Sequence, residues 1–294
     1  MGEFKSGFVS VLGRPNVGKS SLINALIGEK AGIVSRRPQT TRRRSRAILT
    51  GDDFQAVFLD TPGVHKIKNK LDEFMLDEIE KSMSGIDLIL LVCDASEKFG
   101  PGDEFIYSRI ESRNIPAALV LNKIDLLNEK ELAGRIENYE KNADMPIITC
   151  SARRGTGKED IMDFLRKNLP EGPQYYPGDM YVDKIERELV EEFIREQIFE
   201  LTWDEIPYGT AVRVEEFEEK EDIIYIRANI FVEQKSHKGM IIGEEGSMLR
   251  KIGKRARQEI EKMMEDKVYL DLWVKEKKDW RKKEKWMKNL GFEV

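Results

Sequence analysis

Short runs of consecutive apolar residues alternate, in the first part of the chain, with stretches in which apolar side chains recur every three or four positions. The apolar runs predict five buried strands: Phe8–Leu12, Ala56–Leu59, Leu88–Cys93, Ala117–Leu121 and Ile147–Cys150. The periodic stretches predict helices near Ser20–Ile27, Leu71–Met83, Asp103–Ser112, Glu129–Tyr139 and Lys158–Leu169. This alternation is typical of an α/β domain with helices on both faces of a mostly parallel, doubly wound sheet.

The composition changes at residues 170–178, where three prolines and two glycines stand close together. Such a segment favours neither helix nor strand. We therefore predict a first domain at residues 1–175, a linker at 176–182 and a second domain at 183–294.

The second part of the chain has a different pattern, in which a helix precedes alternating strands. Its predicted order is α–β–β–α–β, followed by a helical tail, and this order is typical of an α+β domain. The predicted elements are a helix over 185–201, strands over 211–217 and 224–232 with a hairpin loop at 218–222, a helix over 248–263 and a strand over 268–274.

Composition limits the class of protein. The chain has 294 residues, 40% of them hydrophobic, and a net charge of −5, so the whole chain shows no charge typical of nucleic-acid binding. Its two cysteines stand in apolar runs and are expected to be free and buried in a reducing compartment. The sequence has no zinc-ligand spacing, and two histidines cannot build a metal cage. We find no signal-peptide pattern and no apolar run long enough to cross a bilayer, and we expect a cytoplasmic protein.

The segment from Gly13 to Ser20 matches G-x-x-x-x-G-K-[ST], and it lies between a predicted strand and a predicted helix. Glycines let backbone N–H groups approach phosphate oxygens, and the helix N-terminus favours an anion. Lys19 can contact the β- and γ-phosphates, and the Ser20 hydroxyl can bind Mg²⁺. The alternative is a glycine-rich turn with an exposed lysine.

Two further segments can respond to a γ-phosphate. Asp60 ends a predicted strand and can hold a water on Mg²⁺, and the Gly63 N–H can contact the phosphate. Thr41 lies in a segment with six arginines, residues 36–46, and is our candidate for a second Mg²⁺ ligand. The alternatives are an ordinary turn at residues 60–63 and a solvated arginine loop.

The segment Asn122-Lys123-Ile124-Asp125 follows another predicted strand. The Asp125 carboxylate can accept hydrogen bonds from guanine N1–H and its 2-amino group, which adenine does not offer, so this segment predicts guanine specificity. Lys123 can lie along the base, and a backbone N–H of Ser151 or Ala152 can contact guanine O6. The alternative is a solvated strand-to-helix turn.

A second glycine-containing segment, Gly239 to Leu249, resembles the KH signature I-I-G-x-x-G-x-x-[IL]. In KH domains this loop clamps about four nucleotides. Residues 179–234 carry a net charge of −11, whereas residues 235–288 carry +7, which is the charge pattern expected of an RNA-binding face. The alternative is a helix–turn–helix connection with glycine caps.

Together the segments GRPNVGKS, QTTR, DTPG, NKID and SA resemble those of Era-type GTPases, and with the KH-like segment the resemblance covers nearly the whole chain. It implies a P-loop GTPase domain followed by a type II KH domain, Mg²⁺-dependent GTP hydrolysis, binding near the 3′ end of small-subunit ribosomal RNA, and a role in small-subunit assembly. The implied nucleotide-binding residues are Gly13, Asn16, Val17, Gly18, Lys19, Ser20, Ser21, Thr41, Asp60, Gly63, Asn122, Lys123, Asp125, Ser151 and Ala152. Ser20, Thr41 and Asp60 (through water) would hold Mg²⁺, and Lys19, Thr41 and Gly63 would be catalytic.

The RNA-binding residues are expected on the GxxG loop and its basic flanks. They are Lys235, Lys238, Ile241, Ile242, Gly243, Glu244, Glu245, Gly246, Arg250, Lys251, Lys254 and Arg255. Glu244 and Glu245 depart from the lysines that family members often carry, which predicts either outward-pointing side chains or weaker binding.

Two other positions affect turnover. Val64 stands where Ras-like proteins have a water-orienting glutamine, so intrinsic hydrolysis should be slow. Asn16 resembles the K⁺-binding asparagine of some relatives, and a K⁺ ion there could assist.

Two rival functions remain. One is a GTPase whose basic second domain docks on a protein or on the inner face of the membrane. The other, a P-loop ATPase, leaves Asp125 without a role. We expect a monomer.

Overall fold

The computed structural model describes residues 3–28, 45–61, 81–183 and 186–290. The chain divides into two compact units, the first of which ends at Asp183. Thr41, Gly63 and Val64, as well as most of the predicted helix at 71–83, lie outside the described residues.

The first unit is built on a seven-stranded sheet. Its strand order is β6-β5-β4-β1-β3-β2-β7. Strands β6, β5, β4, β1 and β3 are parallel neighbours, while β2 pairs antiparallel with both β3 and β7. The strands are β1 (Lys5–Leu12), β2 (Ser45–Thr50), β3 (Phe54–Asp60), β4 (Leu88–Asp94), β5 (Ala117–Asn122), β6 (Ile147–Thr149) and β7 (Val182–Asp183).

Both faces of this sheet are buried, as the apolar runs predict. Along β4, Leu88 and Leu90 belong to one apolar cluster, whereas Ile89 and Leu91 belong to another on the opposite face. Helices cover the two faces and confirm the mostly parallel, doubly wound α/β fold. They are α1 (Lys19–Ile27), α2 (Pro101–Glu111), α3 (Glu129–Glu140) and α4 (Lys158–Asn168).

Two strands, β2 and β7, were missed by the sequence analysis. Strand β2 holds only three consecutive apolar residues after a run of arginines, and β7 has two residues, so neither gives a period that can be recognised. Both pair antiparallel at one edge of the sheet.

The proline-rich segment is held against the first unit rather than extended from it. Gln55 of β3 is fully buried and makes four hydrogen bonds, one to the Thr50 hydroxyl and three to the backbone of Tyr175 and Tyr176. Arg46 Nη1 donates to Asp183 Oδ2 at 2.9 Å, where β7 pairs with β2. Residues 176–182, which we predict as the linker, therefore lie along the edge of the sheet.

The second unit is a three-stranded sheet packed against helices. Its order is β10-β9-β8, with β9 antiparallel to β8 and parallel to β10. The α–β–β–α–β order is confirmed, with one extra short helix. Its elements are α5 (Glu186–Leu201), β8 (Ala211–Lys220), β9 (Ile223–Val232), α6 (Lys235–Ile242), α7 (Ser247–Met264), β10 (Val268–Glu276) and α8 (Glu284–Asn289).

The predicted hairpin loop at 218–222 is wrong in its length. Strand β8 continues to Lys220 and pairs residue by residue with β9, so the turn is reduced to Glu221 and Asp222. The end of β8 was not predicted as strand because its glutamates, with largely exposed side chains, break the alternation of apolar and polar residues. The backbone hydrogen bonds to β9 nevertheless continue through this segment.

The helical tail is attached by tryptophans. Trp280 is fully buried, and its indole N–H donates to the Gly209 carbonyl at 2.8 Å. The Trp286 ring lies tilted against Phe231, with centroids 6.1 Å apart, and under the Lys277 ammonium. Trp273, in contrast, is 56% exposed on β10. Two of the three tryptophans are therefore packing residues.

We expect Trp280→Phe to lower the free energy of unfolding of the second unit by about 2 kcal/mol, because it removes a buried hydrogen bond and leaves a small cavity. The same substitution at the exposed Trp273 is the matched control and should cost little. Guanidinium unfolding followed by circular dichroism measures both. Equal losses in the two variants would contradict the packing role of Trp280.

Candidate functional site

The loop after β1 needs glycine at two positions. Gly13 has φ +153° and Gly18 has φ +99°. A Cβ on Gly13 would lie 2.3 Å from the Val92 carbonyl oxygen, and one on Gly18 would lie 2.3 Å from Asn122 Nδ2. Neither distance is possible for a real side chain, so the close approach of three chain segments requires the two glycines of the motif.

Lys19 begins α1 and is buried. Its ammonium donates to the carbonyls of Gly13 (3.0 Å) and Arg14 (3.1 Å). Burial lowers its pKa to about 8, although the nearby Asp60 carboxylate acts in the opposite direction. Two backbone carbonyl oxygens of the described loop thus accept hydrogen bonds from the lysine.

Ser20 and Asp60 meet beside this lysine. The Ser20 hydroxyl donates to Asp60 Oδ2 at 2.7 Å. A hydroxyl and a carboxylate are the hard oxygen ligands that Mg²⁺ prefers, so the residues present fit this ion. Thr41, the other predicted ligand, and Gly63 lie outside the described residues.

One side chain joins three loops. Asn122 Nδ2 donates to the Val17 carbonyl at 2.9 Å, and Asn122 Oδ1 accepts from the Ala152 N–H at 3.0 Å. Asn122 is 2% exposed, so both hydrogen bonds are shielded from water. The loops after β1, β5 and β6 are brought together as predicted.

Lys123 supports the same junction. With φ +66°, it directs its ammonium to the Asn16 carbonyl and to Asp94 Oδ2, each at 2.6 Å. Asp125 Oδ1 accepts from the Ser151 hydroxyl at 2.6 Å. The Ser151 hydroxyl therefore orients the carboxylate predicted to recognise guanine, whereas the sequence predicts for Ser151 or Ala152 only a backbone contact with guanine O6.

Two residues in this region were missed by the sequence analysis. Asp94 ends β4 and contacts Lys123 and Ser96. Arg14 lies within the loop and contacts Asp103. Asp94 could have been found as a carboxylate at the carboxyl end of a central strand, where ligand-facing residues gather. The pairing of Arg14 depends on packing that no spacing reveals.

The GxxG segment of the second unit joins α6 to α7. Gly243 has φ +73°, and a Cβ there would lie 2.8 Å from the Met248 backbone nitrogen. Gly246 has φ +77°, and Glu245 also adopts a left-handed conformation with φ +49°. Glu244 and Glu245 are both exposed. The loop is thus a strained, exposed connection that only its glycines make possible.

The predicted RNA-binding residues fall into two groups. Ile241, which we predict at the floor of the RNA groove beneath the bases together with Ile242, is fully buried, and Ile242 is half-buried. The basic residues lie on α6 and α7, and all but the half-buried Lys238 are exposed. They are Lys235, Lys238, Arg250, Lys251, Lys254 and Arg255.

Comparison with known proteins decides the family. A model for 50S ribosome-binding GTPases matches residues 8–123, and a KH-domain model matches residues 205–281. GTPase Era from Halothermothrix orenii is 52% identical over 291 residues, which is 99% of each chain. This chain belongs to the Era family of GTPases.

Solved Era structures share the whole fold. The crystal structure of an Aquifex aeolicus Era variant bound to GDP·AlF4⁻ matches with a TM-score of 0.95 and 36% identity, covering 99% of this chain and 100% of that one. Era in complex with MgGDPNP and nucleotides 1506–1542 of 16S ribosomal RNA matches with the same score, identity and coverage. As an Era-family GTPase, the chain hydrolyses GTP. Within the described ranges, no helix is long and apolar enough to span a membrane.

The lowered pKa of Lys19 predicts pH-dependent nucleotide binding. Phosphates favour the charged ammonium, so above pH 8 GDP binding must take up a proton, and affinity falls as pH rises. We expect the Kd for GDP to rise about tenfold between pH 7 and pH 9. Isothermal titration in buffers of different ionisation enthalpy measures both the Kd and the proton uptake.

Lys19→Arg keeps its charge across this range and is the control. Whatever its affinity, its Kd should not change between these pH values. A Kd that is equally constant in the unmodified protein would show that the lysine is already fully charged before nucleotide binds.

Proposed function

We propose that this Era-family GTPase is a nucleotide-controlled switch that binds small-subunit ribosomal RNA near its 3′ end and assists assembly of the small ribosomal subunit. The observation that carries the proposal is the pairing, in one chain, of the Lys19 loop and the exposed GxxG loop with its basic flanks. The relative of the same overall fold that holds MgGDPNP together with nucleotides 1506–1542 of 16S ribosomal RNA supports it.

For the nucleotide, we assign separate tasks to the residues of the first unit. Lys19 binds the β- and γ-phosphates, while Ser20 and Asp60 hold Mg²⁺, Asp60 through a water. Mg²⁺, when bound, neutralises charge that develops on the phosphates. Thr41 and Gly63 are our proposed sensors of the γ-phosphate. With Val64 in place of a water-orienting glutamine, we expect slow intrinsic hydrolysis.

Guanine specificity is assigned to Asp125. Its Oδ1 accepts from Ser151, so the carboxylate is held in a fixed orientation before a base arrives. Adenine would leave this carboxylate desolvated and without donors from the base, which disfavours ATP strongly. The loop that holds Asp125 is tied to the phosphate loop through Asn122 and Lys123, so base and phosphates are recognised by one connected unit.

For RNA, we assign the contacts to the GxxG loop and the cationic side chains of α6 and α7. Exposed cations at the ends of two helices supply the sequence-independent attraction to phosphates. The exposed Glu244 and Glu245 reduce this attraction, so the backbone N–H groups of the loop must carry its contact with the RNA.

A switch requires that the GTP and GDP states differ in RNA affinity. The edge of the seven-stranded sheet offers a connection between nucleotide binding and RNA binding. Strand β2 directly follows the segment that contains Thr41, and β2 pairs with β7, whose last residue is Asp183. The Arg46–Asp183 ion pair thus ties the strand after the nucleotide-sensing segment to the end of the first unit.

We expect an oligonucleotide with the 3′ sequence of small-subunit ribosomal RNA to bind about tenfold more tightly in the presence of a non-hydrolysable GTP analogue than with GDP, a typical allosteric coupling. Fluorescence anisotropy at fixed salt measures both values. Equal affinities would refute the switch. Binding to anionic vesicles without RNA binding would instead favour a membrane-docking GTPase.

Removal of the ion pair tests the connection within the same assay. Arg46→Ala and Asp183→Asn should bring the ratio of the two RNA affinities closer to one while leaving the GDP affinity unchanged. Arg166→Ala removes a comparable exposed pair with Asp53 and is the matched control. A ratio unchanged in all three variants would exclude this ion pair as the connection.

We further propose that K⁺ binds at Asn16 and assists hydrolysis. Asn16 is exposed, has φ +66° and holds its backbone carbonyl against Lys123, so its side chain is presented at the loop surface. GTP hydrolysis should be several-fold faster in KCl than in NaCl at equal ionic strength, because a cation beside the phosphates stabilises the developing charge. Asn16→Ala should remove the difference, and identical rates in the two salts would refute the proposal.

A further inference from the structure

We infer that Arg14 is a positioning residue for the nucleotide site, acting as the anchor that holds the phosphate loop in its binding conformation. The inference rests on the proposed nucleotide-binding role of this loop. Arg14 is the second residue of the motif, at one of the positions where the G-x-x-x-x-G-K-[ST] pattern accepts any side chain.

The guanidinium of Arg14 is held by two carboxylates. Its Nε donates to Asp103 Oδ1 at 2.8 Å, and its Nη1 lies 2.7 Å from Glu97 Oε2. Glu97 lies between β4 and α2, while Asp103 lies in the first turn of α2. The Arg14 side chain is thus bound both to the first turn of α2 and to the loop that precedes this helix.

Asp103 is the stronger of the two partners. It is fully buried, and besides Arg14 it accepts from the Gly100 N–H at 3.1 Å and contacts the Cys93 thiol at 3.7 Å. A buried carboxylate needs a nearby positive charge, and Arg14 supplies it. Glu97 has a side chain that is 56% exposed, so its contact is screened by water.

Packing gives Arg14 a defined place. A Cβ on Gly102 would lie 2.6 Å from Arg14 Cδ, so α2 leaves room for the arginine by carrying glycine at that position. Burial by itself would lower the pKa of Arg14, but Glu97 and Asp103 outweigh it and raise the pKa above its ordinary value. The side chain therefore remains charged throughout the range of pH in which proteins are stable.

The anchor acts on the backbone that holds Lys19. The Arg14 carbonyl accepts from the Lys19 ammonium at 3.1 Å, and the preceding carbonyl, that of Gly13, accepts at 3.0 Å. Fixing the Arg14 side chain to α2 thus fixes the carbonyls against which the lysine is placed. A preorganised loop binds phosphate without first having to be ordered, which slows nucleotide release.

The test compares release of fluorescent GDP from Arg14→Ala, Arg14→Lys and the unmodified protein by stopped-flow displacement. We expect release to be about tenfold faster in Arg14→Ala, with partial recovery in Arg14→Lys, which keeps the charge opposite Asp103. In steady-state hydrolysis, KM should rise more than kcat falls. Arg109→Ala is the matched control, because Arg109 lies on α2 but its guanidinium lies over the Phe105 ring. This variant should release GDP at the normal rate.

The thermal midpoint of each variant separates positioning from folding. If Arg14→Ala unfolds at a lower temperature but releases GDP at the normal rate, the anchor is merely structural and the inference fails. Should Arg14→Ala not fold, Arg14→Lys decides the question, since it must then release GDP faster than Arg109→Ala. Failure of the unmodified protein to bind GDP would instead refute the proposed nucleotide site.

Discussion

The nucleotide site depends on one buried carboxamide. Asn122 donates to the loop after β1 and accepts from the loop after β6, so three separate parts of the sequence share a single side chain. Because both hydrogen bonds are buried, any movement of one loop would leave a polar group without a partner. Gly18 has no side chain because Asn122 occupies that space. The phosphate-binding and base-binding halves of the site are therefore one rigid body.

Helices, strands and loops with a strong periodic or motif signal could be predicted from the sequence. Elements whose structure depends on contacts with distant residues could not. The central strands and the loops that end them follow from apolar runs and from residue types required by phosphate chemistry. The docking of the proline-rich segment could not be predicted, because it comes from Gln55, a distant residue whose burial no local pattern reveals. Strand β7 has only two residues, and its pairing with β2 is what makes it a strand. Arg14 was missed for the same reason, since its partners stand about ninety residues away.

The second unit combines opposite charges within one fold. Its first half is strongly acidic and its second half basic, and the sheet joins them through parallel pairing of β9 with β10. The mostly exposed cations of α6 and α7 give this part of the domain a positive local field, which would attract a polyanion. Glu244 and Glu245 interrupt this field at the loop itself. The RNA contact that we propose at this point would therefore depend on backbone geometry more than on charge, which favours recognition of a strand's shape over indiscriminate attraction.

The pairing of β7 with β2 also has a mechanical consequence. Tension applied to the chain beyond Asp183 would enter the first unit at the Arg46–Asp183 pair, where β7 runs antiparallel to β2. The strand that receives this force begins at Ser45, directly after the segment that contains Thr41. A pull at this point would thus act on the strand that follows Thr41, our proposed γ-phosphate sensor.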